Sequence, residues 1–356
     1  MTKTEKRARF RLAGESVAPG TSEKVEIPVS ELSAGMQAKL EARVFHGSKE
    51  GPTIFVSAAI HGDEIIGTEI IRRLMKRLRP ARMAGTVIFV PVVNMYGFIS
   101  QSRYLPDRRD LNRSFPGSPR GSLASQLANI FYSEIVTKCG IGIDIHSAAI
   151  NRYNLPQIRI ASGNPQLKEL ALAFGAPMVI EAPLRDGSLR EIAKRDGVDM
   201  LLLEAGEALR FDEAAINTGV DGVLRVMLAL KMIGSVRLVK VHAPSAQATS
   251  TRWLRASQGG VCRLIKKSGD IVRQGDIVAV ICDIFGQSEE AVRTPIDGKI
   301  IGHATLPIVN QGDAILHIAE IVILEETGGE GAVSRASTDK SDIGLNRAML
   351  DEDEVI

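Results

Sequence analysis

The 356-residue chain has no apolar run approaching the roughly 18 residues that a membrane-crossing helix needs. It is poor in aromatics, with one tryptophan and four tyrosines, and no basic-aromatic stripe on which nucleic-acid bases would stack. Neither sign of charge dominates: 44 Lys+Arg face 42 Asp+Glu, which gives no reason to expect a polyanionic macromolecular partner. Cysteine is scarce as well. Cys139, Cys262 and Cys282 are scattered, odd in number and without a CxxC pair, which argues against a disulfide framework and fits a reducing compartment. The basic start, Met1 to Arg9, is not followed by the apolar core of a signal peptide. A soluble, cytoplasmic protein is the expectation.

What is present centres on residues 53 to 78. The unbroken apolar run Ile54 to Ile60 reads as a strand covered on both faces. Ile66, Ile70, Leu74 and Leu78 then recur every four residues, with Ile71 and Met75 beside them, which predicts a helix. His61 and Glu64 lie between the two, at the carboxyl end of the strand, where open α/β sheets place their ligands. An imidazole and a carboxylate three residues apart at a Gly62 turn can close on one zinc ion. The same residues also read as a polar loop opening a helix, with Asp63 and Glu64 near the positive end of its dipole.

Further strands are expected at Thr86–Val93, Ile141–Ser147, Gln157–Ala161, Pro177–Glu181 and Asp199–Gly206, with helices over 122–138, 165–174, 188–195 and 211–232. Strands alternating with helices argue for a mostly parallel sheet covered on both faces. Four strands end in His61, Asn94, His146 and Glu204. Two histidines and a glutamate make an open three-ligand zinc site, and Glu204 is then a spare carboxylate for proton transfer. Asp144, two residues before His146, steadies a ligand, shapes the pocket or is packing polarity. The segment 96–119 is expected as a long functional loop, and its Arg103 and Arg113 suit a carbonyl oxygen or a substrate carboxylate. His242, His303 and His317 lack a carboxylate at ligand spacing and read as structural. From about residue 244 to 324 short β runs broken by Gly-Asp turns predict an all-β unit, and 325–356 is expected to be a disordered tail.

The order His61-Gly-Asp-Glu64, Asp110-Leu-Asn112-Arg113, Asp144-Ile-His146 resembles the zinc carboxypeptidase superfamily, and within it the succinylglutamate desuccinylase/aspartoacylase branch, over roughly residues 50 to 235. The resemblance implies a zinc carboxypeptidase-like α/β domain over 1–243 and one Zn2+ per chain on His61, Glu64 and His146. It further implies Glu204 as general base, Arg103 polarising the scissile carbonyl, and Asn112 with Arg113 holding the substrate carboxylate. The terminal β unit resembles a biotinyl/lipoyl barrel-sandwich, but its corresponding segment, Asp283 to Gln287, has no lysine, so a carrier role is not expected; this loop is expected to border the active-site mouth. The chain has no tyrosine after Tyr153, where aspartoacylase uses one from its C-terminal domain, so the resemblance does not fix the substrate. The leading expectation is zinc-dependent hydrolysis of the amide bond of a small N-acylated amino acid or related amine. Two alternatives remain at this point: a carboxypeptidase-like hydrolase of short peptides, and a non-catalytic binding protein that kept the fold. The expected partner is a small molecule, with self-association left open.

Overall fold

The apolar run after Thr53 forms the second half of a ten-residue strand, Lys49–Ala58, at the centre of a 13-stranded sheet. The structure, a computed structural model, describes residues 7–31, 35, 37–235, 237–238 and 243–321; the expected tail from 325 and His242 lie outside them. Four neighbouring strands, Ala84–Val90, Lys49–Ala58, Ile141–Ala148 and Asp199–Glu207, run parallel. Antiparallel strands flank them: Gln37–His46 and Thr21–Glu31 on one side, Arg152–Ile160 on the other.

Alternate residues of the central strand feed two cores, as an all-apolar strand requires. Ile54 and Val56 pack under the helices Ile66–Arg77, Pro165–Phe174 and Glu213–Ala229, while Phe55 meets Phe131 of the helix Leu123–Glu134 edge-on at 5.9 Å. Ile66, Ile70, Ile71 and Leu74 are fully buried, each worth about 1.5–3 kcal/mol of burial. The four-residue recurrence in the sequence therefore marks the face that docks this helix on the sheet.

Hydrogen bonding does not stop where the β texture begins. Ala246–Ala248 pairs in parallel with Met178–Glu181, and Gly298–Ala304 pairs antiparallel with Arg152–Ile160. Ala314–Glu320 and Thr251–Arg255 carry the same sheet further out. Gly260–Leu264, Ile277–Cys282, Glu289–Arg293 and Ile308–Val309 form a second, four-stranded sheet, with Leu254, Val278, Ile281, Ile300, Leu316 and Ile318 in a core of their own. The segment expected as one long loop holds a short helix, Met95–Ser100, and a 3-10 turn, Leu111–Arg113. The strand expected to run to Val93 stops at Val90.

Candidate active site

The turn after the central strand is held by backbone contacts before any side chain acts. Ala59 takes φ +52, a left-handed conformation that an L-residue keeps only under constraint. The constraint comes from the next connection: Val93 N–H donates to Ala58 O (3.0 Å) and Asn94 N–H to Ala59 O (2.9 Å). Gly62 then packs so closely on the helix Met95–Ser100 that a Cβ there would lie 1.9 Å from the Gly97 carbonyl carbon. Only glycine lets the chain pass, and the turn so formed brings His61 and Glu64 face to face.

His61 Nδ1 lies 2.5 Å from Glu64 Oε1, and His146 Nδ1 lies 2.8 Å from Glu64 Oε2. His146 arrives on the adjacent parallel strand, where Ser57 opposes Asp144 and Ala58 opposes Ile145. One donor atom from each of His61, Glu64 and His146 falls within 4.8 Å of the others, and all three residues are buried. The remaining ring nitrogens face carboxylates. His61 Nε2 is 3.1 Å from Asp110 Oδ1, His146 Nε2 is 2.8 Å from Asp144 Oδ2, and Ser57 Oγ–H donates to Asp144 Oδ1 at 2.7 Å. A carboxylate behind each imidazole fixes the tautomer that presents Nδ1 and raises its basicity, which is how metal-binding histidines are held. The donor set and its backing thus fit a zinc ion.

The charges are mutually dependent. Burial, the largest influence, and Arg103 push His61 down, but Glu64 and Asp110 outweigh them and leave its pKa raised. Burial likewise opposes His146, which Asp144 and Glu64 carry well above its usual value. Glu64, which burial alone would raise, is held well below the carboxylate range by both imidazoles. Metal binding at these donors would therefore compete with protons. Replacing Asp144 by Asn is expected to weaken zinc binding about 10–100-fold, measured by equilibrium dialysis. Unchanged affinity would reduce Asp144 to packing polarity.

Glu204 stands directly beside His146 in parallel register and opposite Gln157 on its other side. Beyond it the strand bulges and Gly206 takes φ +77. Asn154 Nδ2–H donates to Glu204 Oε2 at 3.2 Å. Arg103 donates from Nη1 to Glu64 Oε1 (3.3 Å) and from Nη2 to Asp110 Oδ2 (3.1 Å). Asn112 Oδ1 accepts from Leu189 N–H at 3.0 Å, which ties the 3-10 turn to the helix Leu189–Arg195, while Arg113 Nη1 donates to the Asn112 carbonyl. His61, Glu64, Arg103, Asn112, Arg113, His146 and Glu204 all line one chamber of about 60 Å3.

Two expectations need correction. Asn94 is fully buried and lines no part of this chamber. Its Oδ1 instead accepts from Gly97 N–H (2.9 Å) as a helix cap, and its Nδ2 reaches the Arg103 carbonyl (3.4 Å), so it supports the Arg103 loop. The segment 283–287 does not line the chamber either; the β region contributes residues 249–253 and His317 to a neighbouring one. Conversely, sequence reasoning assigned no task to Asp110, Asn154 or Ser57. Asp110 opens the segment Asp110-Leu-Asn112-Arg113, whereas Asn154 and Ser57 act through contacts 50 and 87 residues away and leave no local signal.

The family model of the succinylglutamate desuccinylase/aspartoacylase catalytic domain matches residues 50–230. The N-alpha-acetyl-L-2,4-diaminobutyric acid deacetylase of Halomonas elongata is 29% identical over 296 residues, 77% of this chain and 83% of its own. A solved succinylglutamate desuccinylase/aspartoacylase from Rhodobacter sphaeroides superposes with a TM-score of 0.74 at 26% identity, covering 84% of this chain and 95% of that one. The product-bound ectoine utilization protein EutE (DoeB) from Ruegeria pomeroyi gives a TM-score of 0.74 at 20% identity, covering 90% and 98%, a likeness of fold.

Proposed function

Because the chain belongs to the succinylglutamate desuccinylase/aspartoacylase family, we propose that it is a zinc-dependent deacylase, hydrolysing the amide bond of a small N-acylated amino acid or related amine. The observation that carries this reading is the convergence of His61, Glu64 and His146 beside Glu204, at the ends of neighbouring parallel strands. Zinc on the three donors supplies a Lewis acid and acidifies water at the site. Glu204 takes a proton from the attacking water on a carboxylate oxygen and returns it to the departing amine nitrogen. Asn154, bound to Oε2, fixes the plane of that carboxylate. Arg103, anchored by Asp110 and lining the same chamber, supplies positive charge beside the scissile carbonyl, and Asn112 with Arg113 holds the carboxylate of the amino acid. Amide and water become carboxylate and ammonium: the water's first proton reaches the departing nitrogen through Glu204, and its second follows as the adduct collapses to carboxylate.

For the acyl group we infer acetyl, on the strength of the diaminobutyrate deacetylase relative. For the β region we infer the barrel-sandwich arrangement of two sheets about a shared core, without a carrier function, since the hairpin at Asp283–Gln287 has no lysine. The deciding experiment is a panel of N-acetyl and N-succinyl amino acids and dipeptides, assayed with the zinc-loaded protein. Amine release from N-acetyl amino acids at a kcat/KM at least tenfold above dipeptides is expected. Preference for dipeptides would favour a carboxypeptidase-like reading, and inactivity on every member would remove the deacylase.

A further inference from the structure

Beside the catalytic chamber lies a larger one of about 790 Å3. Arg159, Arg185 and Arg190 line both, so the two share a wall of guanidinium groups. The larger chamber is completed by the β region through Arg252, Trp253 and His317. Among the described residues its lining holds four arginines, of which Arg159, Arg185 and Arg190 have partners of their own, and one carboxylate, Glu181, which is engaged by the Lys168 ammonium. Arg252 is exposed and makes no ion pair among the described residues. Concentrated positive charge in a recess, on a chain of formal net charge +2, is a local feature rather than a general basicity.

The wall is rigid where it matters. Strand pairing sets Trp253 opposite His317, and the two rings stack at 4.1 Å and 10°. The Arg152 guanidinium lies 5.6 Å from the indole centroid.

We propose that the larger chamber is a second binding site, for the carboxylate or phosphate groups of a polyanionic small molecule, anchored by Arg252. Its ligand is distinct from the single carboxylate assigned to Asn112 and Arg113. The shared arginines couple its occupancy to the catalytic chamber, whether the anion is a free molecule or the far end of a long acylated substrate.

Trp253 is the chain's one tryptophan, so its emission reports on this chamber without any assay of activity. The zinc-loaded full-length protein is titrated with tricarballylate and with inorganic phosphate, with acetate and the neutral triamide as controls; zinc content is measured before and after, so that chelation is detected. A saturable change in emission with tricarballylate or phosphate, absent with the controls, is expected. Arg252→Ala should weaken it at least tenfold, and Arg252→Lys less. No saturable change, or one that Arg252→Ala leaves intact, overturns the site. The kinetic arm identifies the source of the anion. Competitive inhibition by tricarballylate, with a raised KM in Arg252→Ala for substrates carrying a distal carboxylate, means the substrate's far end. A change in kcat with no competition means a separate ligand. Because the emission arm needs no turnover, failure of the deacylase reading and failure of this site are told apart.

Discussion

Replacing Glu204 by glutamine is expected to lower kcat by about 10²–10⁴ while zinc content and KM stay near those of the parent protein. The substitution keeps the side chain's shape and its capacity to meet Asn154, whose Nδ2 lies 3.2 Å from Oε2. What it removes is the basic oxygen that accepts a proton and later returns it. Glu204 is not among the clustered donors, so metal binding should survive. Plasma emission spectrometry on the dialysed variant checks zinc, and steady-state kinetics with the best N-acyl substrate checks turnover. Loss of zinc together with activity would make Glu204 a ligand; retained activity would take it out of the mechanism. Asn154→Ala provides a graded companion. Freed on one side, the carboxylate should give a smaller fall in kcat, with the acidic limb of the pH profile displaced.

The clarity of this prediction follows from how the site is written in the chain. His61, His146 and Glu204 were recognisable because parallel strands deliver their last residues to one edge, and apolar runs show where those strands end. The same rule misassigned Asn94. It sits after the strand Ala84–Val90, yet its side chain turns back to cap the helix Met95–Ser100. Strand position fixes an address, while side-chain direction depends on what the following residues fold into. Asp110 meets His61 across 49 residues and Ser57 meets Asp144 across 87, and no window of local pattern contains either pair. The fold was legible to the same extent. Periodicity located the helices Ile66–Arg77 and Pro165–Phe174 with little error, because each buries one stripe on the sheet. It could not foresee that Gly298–Ala304 would pair with Arg152–Ile160 and carry the main sheet into the β region. His317, read as merely structural, lies on the strand paired with Gly298–Ala304 and lines the larger chamber.

His146→Ala is expected to cost zinc affinity more than the about 10–100-fold assigned to loss of a backing carboxylate, and to abolish turnover with it. Removing the ring strips one donor from the cation and leaves the buried Asp144 carboxylate to its hydrogen bond from Ser57 Oγ. In the parent protein, zinc at about 1,000 times its dissociation constant should stabilise the fold by about 4 kcal/mol, seen as a raised melting temperature; in the variant that increment should vanish. The parent's response should also depend on pH in one direction. His61 and His146 have folded pKa values raised above their ordinary ones, so without metal the stability they contribute is present below the unfolded value and is lost as pH rises through the folded values. Zinc must displace those protons, so its affinity rises with pH, by about tenfold per unit for each proton released. Calorimetric titration in buffers of different ionisation enthalpy would count the protons directly. Stoichiometric zinc in His146→Ala, or binding in the parent that is indifferent to pH below the raised values, would dissolve the three-donor centre on which the proposed hydrolysis depends.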